Sequence, residues 1–421
     1  MIIDSKQYNG PCACGKAHKM ETEFCLIENG CLKKIDQYIE AYGLKGYSAA
    51  VYDEHTYIAT MDRHPKVDLE VVLPAENLHA NEHGVELLLG RLPEKVDYLM
   101  AVGSGTIHDI TRYCAYQKGI DFVSCPTAAS VDGFCSSVAA MTWNGCKKTL
   151  TAVAPRIVIA DLEIIKNAPL RLAKSGFGDM VGKYIALTDW KIANILTEEF
   201  YCGRIAEMTF AATQKVMDSL NGILAQEESA YEKLMYGLLL SGLAMQMMGN
   251  SRPASGAEHH ISHFIEMKPE GLEVEFEALH GEKVGVGTLL VMEYYQSLLD
   301  NKIPEFCDYT SEPHAMIEHI FGKECAQDIA DENREDAAKT ITSEMLREKW
   351  QEILQELSNL PNAGTIKGLY DKLAAKSDLQ DIGVSSDKKD FLLKYAPLVR
   401  NRLTLLRLLS RVVISSPLER I

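Results

Sequence analysis

The sequence predicts an α/β domain built on a parallel sheet, followed by an all-helical domain. Three observations lead there. Short apolar runs recur through the first 168 residues, several of them continuous rather than alternating, as strands buried on both faces require. Segments of helical periodicity separate them. Beyond residue 168 the strand-like runs almost vanish and long helical patterns take over.

In chain order, the strands are expected at residues 47–53 (YSAAVYD), 69–74 (LEVVLP), 97–103 (DYLMAVG), 121–126 (DFVSCP) and 157–161 (IVIAD). Residues 31–42 and 83–90 suit the helices that cross between parallel strands. The boundary is expected at Ala168-Pro169, where a proline punctuates the exit from the last strand, giving domains of 1–168 and 169–421. Residues 206–220 and 343–357 read as helices, and 391–412 as one or two more with Leu at core spacing. Residues 326–348, dense in opposite charges four apart, read as a solvated helix face. No repeat or low-complexity linker is evident.

With 47% apolar and 24% charged residues, the 421-residue chain has the composition of a folded globular protein. Its net charge of -16 excludes a general nucleic-acid binder, because phosphate neutralisation needs surplus Lys and Arg. The longest apolar stretch, residues 236–249, is too short to span a bilayer and reads as a buried helix, so no membrane association is expected. The N-terminus lacks the basic flank and apolar core of a signal peptide. Eleven cysteines without a regular frame suit a reducing compartment, so the cytoplasm is the expected location.

Residues 97–109, DYLMAVGSGTIHD, read as a strand, a glycine turn and a helix start. Such a turn presents free N–H groups and a positive dipole end to a pyrophosphate, with Gly103 and Gly105 leaving room for it. The dinucleotide fingerprint is incomplete, since His108 holds the third glycine position. Residues 125–137, CPTAASVDGFCSS, leave a strand into a loop at the sheet's carboxyl edge, where ligands of open α/β sheets bind. There Thr127 and Ser130 can donate to a nucleotide and Asp132 can accept from a polyol; self-capping side chains of a plain turn are the alternative. Asp53 ends a strand and suits either a ribose or a helix N-cap.

Three segments offer metal-type ligands. SGFGDMVGK places Asp179 after a flexible glycine turn. SGAEHHISHFIEM carries His259, His260 and His263 on one helix, where His259 and His263, four apart, share a face. ALHGEKVG adds His280. The zinc-protease pattern HEXXH is absent; one carboxylate with two imidazoles suits zinc, nickel or iron with positions left for substrate. Such an ion acts as a Lewis acid on a ketone or alcohol. The N-terminal Cys12-x-Cys14-Gly15-x-x-His18 is either a structural metal hook or a pair of surface thiols, with Cys25 and Cys31 nearby in sequence.

In this order, GSGTIHDITRY, PTAASVDGF, GFGDMVGK with DWKIAN, SGAEHHISH and LHGEKVGVGT resemble the sn-glycerol-1-phosphate dehydrogenases. That family is a branch of the iron-containing alcohol dehydrogenase and dehydroquinate synthase-like superfamily, and its bacterial, arabinose-operon type is the most similar. The resemblance runs from about residue 53 to 286 and implies a Rossmann-like N-terminal domain, an all-helical C-terminal domain and a site in the cleft between them. It implies Asp179, His259 and His280 as metal ligands and, with His263, as the catalytic set. Asp132, Asp179 and His263 would touch substrate. Asp53, Gly103, Ser104, Gly105, Thr106, Ile107, Thr127, Ala128, Ala129, Ser130 and Ser136 would contact NAD(H) or NADP(H). The implied reaction is the reversible reduction of dihydroxyacetone phosphate to sn-glycerol 1-phosphate, a step toward phospholipid, with one divalent metal ion, zinc or nickel before iron, in a homodimer. Lys147, Lys148 and Lys183 are candidates for the phosphate. Glycerol or polyol oxidation, dehydroquinate-type cyclisation and a non-catalytic binding protein are the rivals.

Overall fold

The computed structural model describes residues 1–299 and 304–413. The chain forms two compact units, residues 1–180 with 204–251, and 181–203 with 252–421. The first carries a seven-stranded sheet: β1 (Ile2–Asp4), β2 (Phe24–Glu28), β3 (Ser48–Asp53), β4 (Leu69–Leu73), β5 (Tyr98–Gly103), β6 (Asp121–Pro126) and β7 (Ile157–Asp161). Their order is β1-β2-β7-β6-β5-β3-β4, parallel throughout except for β1. The five strands expected from sequence are all present, each bound within one residue.

The chain leaves β3 outward to β4, then returns past β3 to β5 and continues in the other direction. Connections after β3 and β5 therefore diverge, opening a crevice at the strands' carboxyl ends where open α/β sheets bind ligands. Asp53 ends β3 and Gly103 ends β5, so both stand at this point. Alternate residues explain why the strands read as continuous apolar runs. Ala49, Val51, Leu99 and Ala101 feed one core, while Ala50, Tyr52, Met100 and Val102 feed another on the opposite face.

Two features of this unit went unread in the sequence. β2 has only a short apolar core between Glu23 and Glu28, and becomes a strand by pairing with β7, Phe24 opposite Ile157. A hairpin joins Val138–Trp143 to Cys146–Thr151 through Asn144 and Gly145, both with positive φ (51° and 75°). Asn-Gly is a strong hairpin signal, and it was there to be used.

Helix α1 (Gly105–Lys118) follows β5. His108, at the missing glycine position, is fully buried: its Nδ1–H donates to the Ser104 carbonyl at 2.9 Å and its Nε2 accepts from the Ser124 hydroxyl at 2.8 Å. It thus fastens the helix to β6 in place of the close packing a glycine would allow. Burial, helped by Arg112, pushes its pKa down to about 3. The unfolded chain takes up a proton near pH 6.5 and the folded chain does not, so stability is lost as pH falls from about 6.5 toward 3. Acid unfolding followed by circular dichroism should show this loss, and His108→Asn should flatten it; an unchanged slope would refute the assignment.

Helices α2 (Leu170–Val181) and α3 (Glu228–Met248) follow the sheet in sequence. α3 contains the stretch expected as a buried helix, and Leu238, Leu239 and Leu243 are indeed fully enclosed. Among the described residues, no helix is long and apolar enough to cross a membrane.

The second unit is helical apart from small β pairings such as Glu305–Phe306 with Val412–Val413. Its central pair is α4 (Ala257–Glu266) and α5 (His280–Ser297). Asp189, from the DWKIAN segment, organises it, accepting from the N–H groups of Ala257 and Leu405, each at 2.9 Å, and the Tyr295 hydroxyl at 2.8 Å. Burial raises its pKa to about 6, the hydrogen bonds opposing that rise. Residues 391–412 form short helical segments, including Lys389–Tyr395 and Leu405–Leu408. The charged stretch 326–348 is not one helix face. The helical stretch His314–Glu332, broken at Gly322 (φ 74°), ends before Asn333, whose side chain donates to the Ile329 and Leu398 carbonyls, and a new helix starts at Ser343 under a Thr342 cap. Between them Asp336 pairs with buried Arg407 at 2.6 Å, a tertiary contact that overrides local charge spacing.

Candidate active site

At the carboxyl ends of β3 and β5, the sheet unit assembles most of the residues expected around a nucleotide. Gly103 closes β5 with no room for a side chain, since a Cβ there would lie 2.6 Å from that of Ile107. Ser104 occupies the N-cap of α1 without a side-chain bond to the helix, leaving N–H groups of the first turn facing outward from a 14-residue helix. The Thr127 N–H donates to the Gly103 carbonyl at 3.0 Å, joining the two loops. Asp53 takes the capping role: Oδ1 accepts from the Thr56 N–H at 2.8 Å, and the Thr56 hydroxyl accepts from the Asp53 N–H at 3.0 Å. That is the helix-cap alternative the sequence offered, realised at the crevice.

The loop after β6 is held from two sides. Asp132 donates its N–H to Asp179 Oδ2 at 2.9 Å, and its own Oδ2 accepts from the Ser241 hydroxyl at 2.8 Å. The Ser175 hydroxyl donates to the Ser130 carbonyl at 3.1 Å. Asp179 does not follow a flexible turn, as expected; it lies inside α2, fully buried. Gly176 of SGFGD serves packing instead, because a Cβ there would sit 2.1 Å from the Ala129 carbonyl oxygen. Ser136 is bound locally, its hydroxyl exchanging hydrogen bonds with Val138 at 3.0 and 3.1 Å. Sequence reasoning missed Arg112, a fully buried guanidinium that donates to the carbonyls of Ser136 (2.7 Å), Val138 (3.2 Å) and Phe134 (3.3 Å) and so shapes this loop.

In the helical unit, α4 and the start of α5 gather three imidazoles. Ring centroids of His259, His263 and His280 lie 5.4–5.9 Å apart. The i,i+4 spacing of His259 and His263 put them together, as predicted. His260 lies off the face that His259 and His263 share: burial and then Arg402, Arg407, Arg400 and Arg252 hold its pKa well below the ordinary range. Burial likewise depresses His263, Glu266 opposing, so it stands as a neutral imidazole.

The decisive detail is at the far nitrogens. His259 Nδ1–H donates to Glu258 Oε1 at 2.6 Å, and His280 Nδ1–H donates to Glu266 Oε1 at 3.0 Å. Each carboxylate fixes a tautomer that leaves Nε2 with its lone pair, which is how metal-bound histidines are usually oriented and made more basic. Glu258 is fully buried and Glu266 also pairs with Lys283 at 3.1 Å. The donor set therefore fits a divalent ion. Neither glutamate was picked out from sequence, although Glu258 directly precedes its histidine. Glu258→Gln should weaken metal affinity by about 10- to 100-fold, read by competition with a chromogenic chelator; wild-type affinity would show that the carboxylate plays no such part.

Of the expected phosphate ligands, Lys183 is fully buried with Nζ donating to the Ala254 carbonyl at 3.0 Å. Lys147 and Lys148 lie on the 138–151 hairpin, partly exposed, Lys147 reaching the Ala140 carbonyl at 3.4 Å.

Residues 26–169 match the iron-containing alcohol dehydrogenase family. The glycerol-1-phosphate dehydrogenase (NAD(P)+) of Geobacillus stearothermophilus is 34% identical over 418 residues, 96% of each chain. The chain belongs to the glycerol-1-phosphate dehydrogenase family. A second member, from Bacillus licheniformis, is 39% identical over 311 residues, 71% of this chain and 77% of that protein. Among solved structures, an iron-containing alcohol dehydrogenase from Corynebacterium glutamicum shares the fold at a TM-score of 0.60 and 15% identity, covering 93% of this chain and 95% of that one.

Proposed function

We propose that this chain is a metal-dependent oxidoreductase that reduces dihydroxyacetone phosphate to sn-glycerol 1-phosphate with NADH or NADPH and runs the reverse oxidation. The reading is carried by one observation above all: His259 and His280 each have Nδ1 engaged by a glutamate, in a chain whose relatives are glycerol-1-phosphate dehydrogenases. Asp179 would be the third ligand. A bound divalent ion, zinc or nickel before iron, supplies Lewis acidity at the substrate's carbonyl oxygen.

The chain's own residues have separable tasks. The Gly103–Ile107 turn would receive the pyrophosphate on the N–H groups that open α1, and Asp53, Thr127–Ser130 and Ser136 would border the nucleotide. Asp132 accepts hydrogen bonds and would orient a substrate hydroxyl. His263 would stand beside the reacting carbonyl as a relay, releasing its ring N–H to the oxygen of the reduced carbon as its other nitrogen takes up a proton from solvent, and the nicotinamide, when bound, would supply the hydride. Nucleotide binding is assigned to residues 1–168 and metal and substrate binding to 169–421, in a cytoplasmic homodimer.

A second donor group, His263, Glu266 and His280, lies wholly within the helical unit, its atoms within 4.8 Å of one another. Glu266 already holds His280 Nδ1 and Lys283, which favours the first assignment. Rates with dihydroxyacetone phosphate, dihydroxyacetone and glycerol, with chiral analysis of the phosphorylated product, test the function. Preference for the phosphorylated ketone and formation of the sn-1 isomer support it. Turnover confined to unphosphorylated polyols would keep the fold and discard the substrate.

A further inference from the structure

The N-terminal hairpin, Gly10–Pro11 paired with Ala17–His18, takes no part in the proposed reaction. Its strands are two residues long, far too short to hold a hairpin by their own ladder. The turn is nonetheless closely specified. Cys12 N–H donates to the Lys16 carbonyl at 2.9 Å, Gly15 N–H to the Cys12 carbonyl at 3.0 Å, and Gly15 takes φ +86°, a conformation that favours glycine.

This turn brings three soft donors together. The sulfurs of Cys12 and Cys14 and a ring nitrogen of His18 lie within 4.8 Å of one another, with Cys14 Sγ 3.3 Å from His18 Nε2. In a tetrahedral zinc site with Zn–S near 2.3 Å and Zn–N near 2.0 Å, the sulfur-to-nitrogen separation is about 3.6 Å. The observed spacing is close to that. His18 is only 4% exposed, and its Nδ1–H donates to the Met247 carbonyl, at the end of α3, at 2.9 Å. Nε2 is thereby left with its lone pair on the side of the two sulfurs, the orientation a backbone carbonyl imposes on metal-bound histidine.

We propose that Cys12, Cys14 and His18 bind a structural zinc ion that fastens the N-terminal hairpin to the end of α3. The site is distinct from the catalytic set in residues and in chemistry: two thiolates here, none there. Sulfur-rich sites of this kind select zinc over the harder divalent ions.

The test exploits that difference. In zinc-loaded, desalted His259→Ala protein, with the catalytic metal removed by the substitution, X-ray absorption fine structure at the zinc edge should show at least two sulfur scatterers near 2.3 Å. Cobalt loading of the same protein should produce a thiolate-to-metal charge-transfer band. The Cys12→Ser/Cys14→Ser double variant of the otherwise native chain should lose one zinc per chain and melt at lower temperature. Only nitrogen and oxygen scatterers, no charge-transfer band, or unchanged zinc content in the double variant would overturn the proposal. Should the double variant fail to fold, the absorption spectrum of the intact hairpin still decides.

Discussion

His259→Ala should release the metal and disable reduction of dihydroxyacetone phosphate, with kcat/KM falling by about 1,000-fold or more. The size follows from what is lost together. Alanine deletes a ligand and takes the imidazole at 2.6 Å from buried Glu258, leaving Oε1 with the Gly256 N–H at 2.9 Å. Metal analysis and steady-state kinetics on one preparation check this. His260→Ala is the internal control, because His260, one residue on, lies off the helix face that His259 shares with His263 and belongs to neither donor group. It should alter stability without releasing metal. A His259→Ala protein that retains metal and turnover would contradict the ligand assignment.

The second large effect is on folding. Arg112→Ala should cost about 3 kcal/mol or more, since it opens a cavity and takes the guanidinium from the carbonyls of Phe134 and Ser136, Val138 keeping the Ser136 hydroxyl. The same change should weaken NAD(P)H binding, because those carbonyls belong to the loop that carries Ser136. Arg112→Lys keeps a charge but not the planar fork, and should fall between. Urea unfolding measures the first effect and fluorescence titration of NADPH the second. A loss under about 1 kcal/mol, within the range of an ordinary surface change, would mean the loop holds its shape unaided.

Sequence periodicity carried the sheet well. Strands β3, β5, β6 and β7 are continuous apolar runs because both their faces are buried, and no other local pattern competes with that signal. β2 escaped because its strand character comes from its partner β7 rather than from its own residues. The histidines were legible through spacing alone, since i and i+4 share a helix face whatever lies around them. Their glutamates were not, because one-dimensional adjacency says nothing about which way a carboxylate turns. The glycines before Asp179 show the same limit. Gly176 permits a turn or a close helix contact equally well, and only the Ala129 carbonyl against it reveals which. Nothing around Arg112 in the sequence sets it apart, because its burial goes with loop carbonyls that lie over twenty residues later.

The measurement that bears most directly on the whole account is NADH oxidation with dihydroxyacetone phosphate in chelator-stripped enzyme, before and after adding back nickel, zinc or ferrous ions. The account predicts negligible activity when stripped, recovery with at least one ion, and no recovery in Asp179→Asn or His280→Ala protein. Full activity in the stripped enzyme, or recovery in those variants, would contradict it.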